Sequence, residues 1–145
     1  MRILVLSDIH GRSLDLNLKG YDYIICCGDY GNTRFKNNVL VVRGNCDKDG
    51  AKELIENIFS RKVFISHGDL YNVKYRYDNI FYRTKELDCS VCFFGHTHKG
   101  EVFICEDILF LNPGAYQNNE YAIVEDNSIK LYKDDKVIKE FAFKW

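Results

Sequence analysis

The chain has 145 residues, 46% of them hydrophobic and 28% charged, with a formal net charge of −1. That size and balance describe a globular unit with a real core and exclude a disordered chain. A near-neutral chain has no bulk electrostatic hold on a polyanion. This argues against a nucleic-acid partner but leaves phosphate-containing small molecules open.

The apolar start Ile3–Leu6 stops at Ser7-Asp8, short of the roughly 7–15 residues of a signal-peptide core. No apolar run reaches the ~18 residues of a membrane span. The expectation is a soluble, cytoplasmic protein with no membrane partner. Six cysteines are present, and Cys26, Cys27, Cys92 and Cys105 lie inside strand-like apolar runs. Free, mostly buried thiols are expected rather than disulfides. Cys89 and Cys92 have CxxC spacing, but no second pair supports a zinc knuckle.

In chain order, strands are expected at Arg2–Ser7, Tyr23–Cys27, Val39–Arg43, Lys62–Ser66 and Ser90–Phe94, each rich in β-branched or aromatic residues. All but the fourth are near-continuous apolar runs, the signature of strands covered on both faces. Three helices are expected. Ser13–Lys19 has a capping serine and a glycine stop. Asp49–Phe59 has Ala51, Leu54, Ile55 and Ile58 on one face, and Tyr75–Leu87 is also helical in period. After Gly100 the pattern alternates, over Glu101–Glu106, Ile108–Leu111, Tyr121–Glu125, Ile129–Lys133 and Lys136–Phe143. The turn pairs Glu106-Asp107, Asp126-Asn127 and Asp134-Asp135 separate these runs. The class is α/β with a C-terminal part of antiparallel hairpins, expected as a single domain over 1–145 without a cap.

The polar stops after the strands carry the chemistry. They are Asp8 and His10, Asp29, Asn45, His67, and His96 with His98; every histidine of the chain is among them. Ligands of open α/β sheets gather beyond the carboxyl ends of strands, so five loops can deliver seven side chains to one crevice. Asp-x-His and His-x-His spacings put both side chains on one side of an extended segment. Seven N and O donors exceed the need of one tetrahedral ion, and suit two divalent ions sharing a carboxylate. Mn²⁺ is the first expectation, with Fe, Zn²⁺ and Ni²⁺ as alternatives.

These residues in this order resemble the calcineurin-like metallophosphoesterase superfamily. Its motifs are Asp-x-His, Gly-Asp, Gly-Asn-x-Asp/Glu, His-Gly and Gly-His-x-His, followed here by Asn112-Pro113-Gly114. Shortness and the Gly-Asn-Cys-Asp form of the third motif resemble the small YfcE-type phosphodiesterase branch. The resemblance implies a two-sheet β-sandwich flanked by helices. It implies that Asp8, His10 and His98 bind a first metal, that Asn45, His67 and His96 bind a second, and that Asp29 bridges them. It implies hydrolysis of a small phosphodiester, a cyclic nucleotide among the options, by a metal-bridging hydroxide. Asp29, Asn45, Cys46 and His96 are then the catalytic candidates.

The chain departs from the superfamily pattern at Cys46, where many members have a histidine as general acid. A thiol is a weaker proton donor. Packing under the metal loop is an equally weighted role for it. Arg12, Arg43 and Tyr116 lie near the motifs and could contact phosphate, but structural roles are the first expectation for them. The alternative function is an interaction scaffold on the same fold, like the retromer subunit. A repair-type nuclease fits poorly with the near-neutral charge. Substrate identity, native metal and any homo-oligomer stay open.

Overall fold

A computed structural model describes residues 1–36 and 38–145. Two sheets face each other. The first has six strands in the order β11-β10-β9-β1-β2-β3, and the second has five in the order β4-β5-β6-β8-β7. β1 (Arg2–Leu6), β2 (Tyr23–Cys26) and β3 (Val39–Val41) are parallel to one another. β5 (Arg61–Ser66), β6 (Val91–Phe93) and β8 (Ile108–Asn112) form the parallel part of the second sheet.

The alternation along β1 explains its continuous apolar run. Ile3 and Val5 face the second sheet, in a core with Ile25, Val63, Ile65, Val91 and Phe93. Leu4 and Leu6 face outward, beneath Leu14, Leu16 and Leu18. Both faces of the strand are dry. β3 differs from expectation: it is a sheet edge, and all three of its residues are only half-buried.

One α-helix, α1 (Asp78–Glu86), flanks the sandwich among the described residues. Its Ile80 packs on Phe64, Cys92, Phe94 and Phe110, on the outer face of the second sheet. The other two expected helices are absent. Ser13–Lys19 carries leucines at every second position, and these cover β1 and β2 as an irregular strap. In place of a helix over Asp49–Phe59 stands β4 (Glu53–Ile58), an edge strand antiparallel to β5 through a turn at Phe59-Ser60. Leu54 and Ile58 are four residues apart, a spacing shared by one helix face and one strand face, so periodicity alone does not separate the two. Ile55, assigned to the buried face of that helix, is 44% exposed.

The C-terminal hairpins divide between the sheets. β7 (Glu101–Cys105) pairs antiparallel with β8, whereas β9 (Glu120–Glu125), β10 (Ser128–Lys133) and β11 (Lys136–Ala142) extend the first sheet from β1. At Glu106-Asp107 and Asp134-Asp135 both residues have positive φ, the geometry of tight hairpin turns. No helix among the described residues is long and apolar enough to cross a membrane.

Phe93 is fully buried between the sheets. Phe93→Ala is expected to lower unfolding stability by about 3–5 kcal/mol, read from urea denaturation.

Candidate metal centre

The carboxyl ends of β1, β2, β3, β5 and β6 lie at one end of the sandwich, and the loops that follow them converge. Asp8, His10 and His98 offer ligand atoms within 4.8 Å of one another, as do Asp29, His67 and His96, and also His10, Asp29 and Cys46. His10 and Asp29 each belong to two of these groups, and His10 Nε2 lies 3.6 Å from Asp29 Oδ2. Asn45 joins through its Oδ1, 3.0 Å from His67 Nε2. All seven sequence-predicted ligands are together.

The local backbone that achieves this is not the extended segment inferred from the spacing. Asp8, His10, Asp29, His96 and His98 all have positive φ, between 48° and 71°. Alternation of extended side chains therefore does not account for the pairing of Asp8 with His10 or of His96 with His98. The left-handed turns aim them instead, and Asp is one of the residues that tolerate that region best.

The donor atoms are arranged for a cation. Asp8 is fully buried; its Oδ2 accepts from the Ser7 hydroxyl at 2.6 Å and from the His96 N–H at 3.0 Å. Its Oδ1 has no hydrogen-bond partner, although Nε2 of His98, His10 and His67 lies 3.1, 3.4 and 3.8 Å away. A buried, unpaired carboxylate oxygen is costly unless an ion or a donor satisfies it. His67 gives the same indication. Its Nδ1–H donates to the Cys27 carbonyl at 2.7 Å, which leaves Nε2 to face Asp29 Oδ2 at 3.2 Å, Asn45 Oδ1 at 3.0 Å and His96 Nδ1 at 3.2 Å. One ring nitrogen cannot hydrogen-bond three donors and acceptors at once, whereas a divalent ion can bind all of them. The backbone bond on Nδ1 is the outer-shell contact that fixes a ligating imidazole.

Charge follows from these contacts. Burial works against the Asp29 carboxylate, but hydrogen bonds from His67 and from the Cys46 N–H at 2.9 Å, with the nearby imidazoles, hold its pKa down at about 2. Burial also opposes a proton on His67, yet Asp29 and Asp8 together raise its pKa. Burial, His67 and Lys74 lower that of His96. Burial and the carboxylates of Asp29 and Asp47 push the Cys46 thiol up. Cys46 is exposed, so it does not pack under the loop.

Sequence reasoning missed the residues that hold the ligands. Asp47 Oδ2 accepts from the N–H groups of Asp29 at 2.7 Å and Gly44 at 2.8 Å, tying the second loop to the third. Asn112, buried, donates to the Gly95 carbonyl and to Thr97 Oγ1, so the Asn-Pro-Gly loop supports the His96–His98 turn. The Gln117 amide lies 3.2 Å from His98 Nδ1. Asp47 and Asn112 both stood inside motifs, and that position was their only signal. Arg12 donates to the carbonyls of Tyr116 and Gln117, and the Tyr116 hydroxyl accepts from Asp15 N–H, so both are structural as expected. All six cysteines are free; burial raises the thiols of Cys26 and Cys92 to about 12 and also pushes that of Cys89 up.

The model of the calcineurin-like phosphoesterase superfamily domain matches residues 1–127. The chain belongs to this superfamily. It is 31% identical to the probable metallophosphoesterase YsnB of Bacillus subtilis, over 97% of this chain and 90% of that one. A conserved protein of Streptococcus pneumoniae, described as a predicted phosphoesterase, shares the fold at a TM-score of 0.83 and 26% identity, covering 98% and 97% of the two chains. At lower identity the fold recurs in Vps29 of Entamoeba histolytica, with a TM-score of 0.77, 21% identity and coverage of 99% and 100%. It recurs also in the phosphoesterase YfcE of E. coli, at 0.70 and 18%, covering 98% and 99%. Metallophosphoesterases bind divalent metals, and the Asp and His groups of this chain fit that chemistry.

As a metal ligand, His67 would have to be neutral. In the metal-free protein, the raised His67 pKa contributes stability that is full below the ordinary imidazole value of about 6.5 and is lost as pH rises through the raised value. Metal binding must displace that proton, so its effect runs the other way. The gain in Tm on adding Mn²⁺ is expected to be larger at pH 8 than at pH 6, measured by differential scanning fluorimetry. Equal gains at both pH values would contradict the ligand role of His67.

Proposed function

We propose that this protein is a divalent-metal-dependent phosphodiesterase that hydrolyses small phosphodiesters at a dinuclear centre. The observation that carries the reading is the fully buried, unpartnered Oδ1 of Asp8 facing three imidazoles. Asp8, His10 and His98 would hold one ion, Asn45, His67 and His96 the other, and Asp29 would lie between them. Mn²⁺ is favoured because the donors of this set are all nitrogen and oxygen. Bound there, two divalent ions supply positive charge for a phosphoryl group and acidify water to a hydroxide nucleophile.

The chain's own residues then do the positioning. Asp29 is oriented by the Cys46 N–H and by His67, so it remains a carboxylate at any working pH. The lowered pKa of His96 keeps its ring neutral and ready as a donor. His10 and His98 side chains are 24% and 35% exposed, which leaves that side of the centre open to a diester with a bulky second arm. Asn45, also exposed, stands where its amide can contact both the centre and a substrate oxygen. Cys46 is the proton donor nearest the group formed with His10 and Asp29, and its raised pKa makes it a weak one. The six free thiols are in keeping with a reducing, cytoplasmic setting.

A scaffold on the same fold needs no such centre, and none of the seven ligands has been lost from this chain. Asp29→Asn is expected to abolish Mn²⁺-dependent hydrolysis of bis(p-nitrophenyl) phosphate and to weaken metal binding by calorimetry. Full activity of that variant would refute the bridging role. Across aryl and alkyl diesters, kcat is expected to fall steeply as the leaving-group pKa rises, because Cys46 protonates an alkoxide poorly. A flat dependence would mean that an effective general acid is present.

A further inference from the structure

At the amino ends of β2 and β3, the end away from the candidate metal centre, a groove of about 600 Å³ opens on the outer face of the first sheet. That volume lies within the roughly 300–1,000 Å³ of sites that enclose a small molecule. The groove exists because the cover there is thin. Ile24 and Val39 stand side by side in register and face outward. The strap Ser13–Lys19 lays its leucines on the sheet and then turns back at Gly20, φ 88°, into β2. Leu16 and Leu18 of the strap line one side of the groove, and Phe35, in the loop before β3, lines another.

Its apolar part is recessed and its charged part is exposed. Ile24 is buried, and Leu16, Leu18, Phe35 and Val39 are half-buried, whereas Lys19, Arg34 and Lys36 are exposed. No carboxylate lines the groove, and none of these three cations has a carboxylate partner among the described residues. The whole chain carries 21 acidic and 20 basic residues, so a lining of three cations and no acid is a local departure from an even balance. The Lys19 N–H donates to Asn17 Oδ1 at 3.0 Å, which closes a local turn at that end of the strap.

A protein or membrane surface would need apolar side chains that stand out from the rim. The exposed large hydrophobic residues, Phe59, Leu70, Tyr75 and Ile138 among them, all lie elsewhere. A solute that enters the groove does not need them. Its apolar body rests on Ile24 and Val39, and its charge stays at the mouth among the cations, still partly in water. Charge kept at a wet mouth avoids the desolvation cost of a buried ion.

We infer that the groove over β2 and β3 is a binding site for a small amphipathic anion, an organic acid with an apolar body and one anionic head. The site is separate from the metal centre and stands independently of the phosphodiesterase reading.

The test uses 8-anilinonaphthalene-1-sulfonate, whose fluorescence rises on leaving water, and its uncharged analogue N-phenyl-1-naphthylamine. Saturable binding of the sulfonate is expected, with the analogue at least about tenfold weaker. Decanoate should displace the sulfonate, and decanol at the same concentration should not. In the Arg34→Gln/Lys36→Gln double variant the sulfonate should bind about tenfold more weakly and the analogue as in the parent. Both side chains are exposed, so this variant is expected to fold with the parental Tm. Lys85→Gln/Lys133→Gln, which removes two exposed cations elsewhere, should leave binding unchanged. Equal affinity for the sulfonate and its analogue, or unchanged binding in the Arg34/Lys36 variant, would overturn the assignment. So would the absence of saturable binding, or displacement by inorganic phosphate, which would put the anion at the metal centre instead.

Discussion

The Asp8 carboxylate joins the two sheets at the end where the chemistry is placed. Its Oδ2 takes hydrogen bonds from Ser7, at the end of β1, and from the backbone of His96, in the loop after β6. Fully buried charge is tolerated only with strong partners, and charge-assisted bonds of this kind are among the stronger ones available. A second tie runs from His67 Nδ1–H, in the loop after β5, to the Cys27 carbonyl, at the end of β2. The apolar core holds the sheets face to face, and these two bonds join them at the site.

Such closeness has a steric condition. A Cβ on Gly44 would collide with the Asp29 side chain, and one on Gly95 with the Ser7 hydroxyl and with Asp8 Oδ2 at 2.9 Å. The glycines beside the acidic and imidazole ligands are there because two loops occupy adjoining space. The motif pairs Gly-Asn and Gly-His are in this sense packing statements as much as chemical ones.

The convergence of the candidate ligands was legible in the sequence because each stands at the end of an apolar run, and parallel strands bring those ends together. The reason assigned to the spacing was wrong, since left-handed turns rather than extended segments pair Asp8 with His10 and His96 with His98. Asp47 and Asn112 were hidden because their work is on backbone N–H and C=O groups, which leave no trace in residue type. The two missing helices have separate causes. In β4 the four-residue spacing of Leu54 and Ile58 serves a strand as well as a helix. In the Ser13–Lys19 strap, tertiary cover of β1 and β2 overrode a plausible cap and stop. Ile3–Leu6 was read correctly because both of its faces are covered.

Five of the candidate ligands sit in left-handed backbone conformations, each at a cost of order 1–3 kcal/mol for a non-glycine residue in general. That cost falls on the same few loops that carry the buried charge of Asp8, so the least comfortable part of the apoprotein is its functional end. Stability and chemistry therefore pull in opposite directions at these positions. A glycine at position 10 would relax the turn and remove a candidate ligand in the same step, so selection for a sturdier fold alone would erode the candidate centre first.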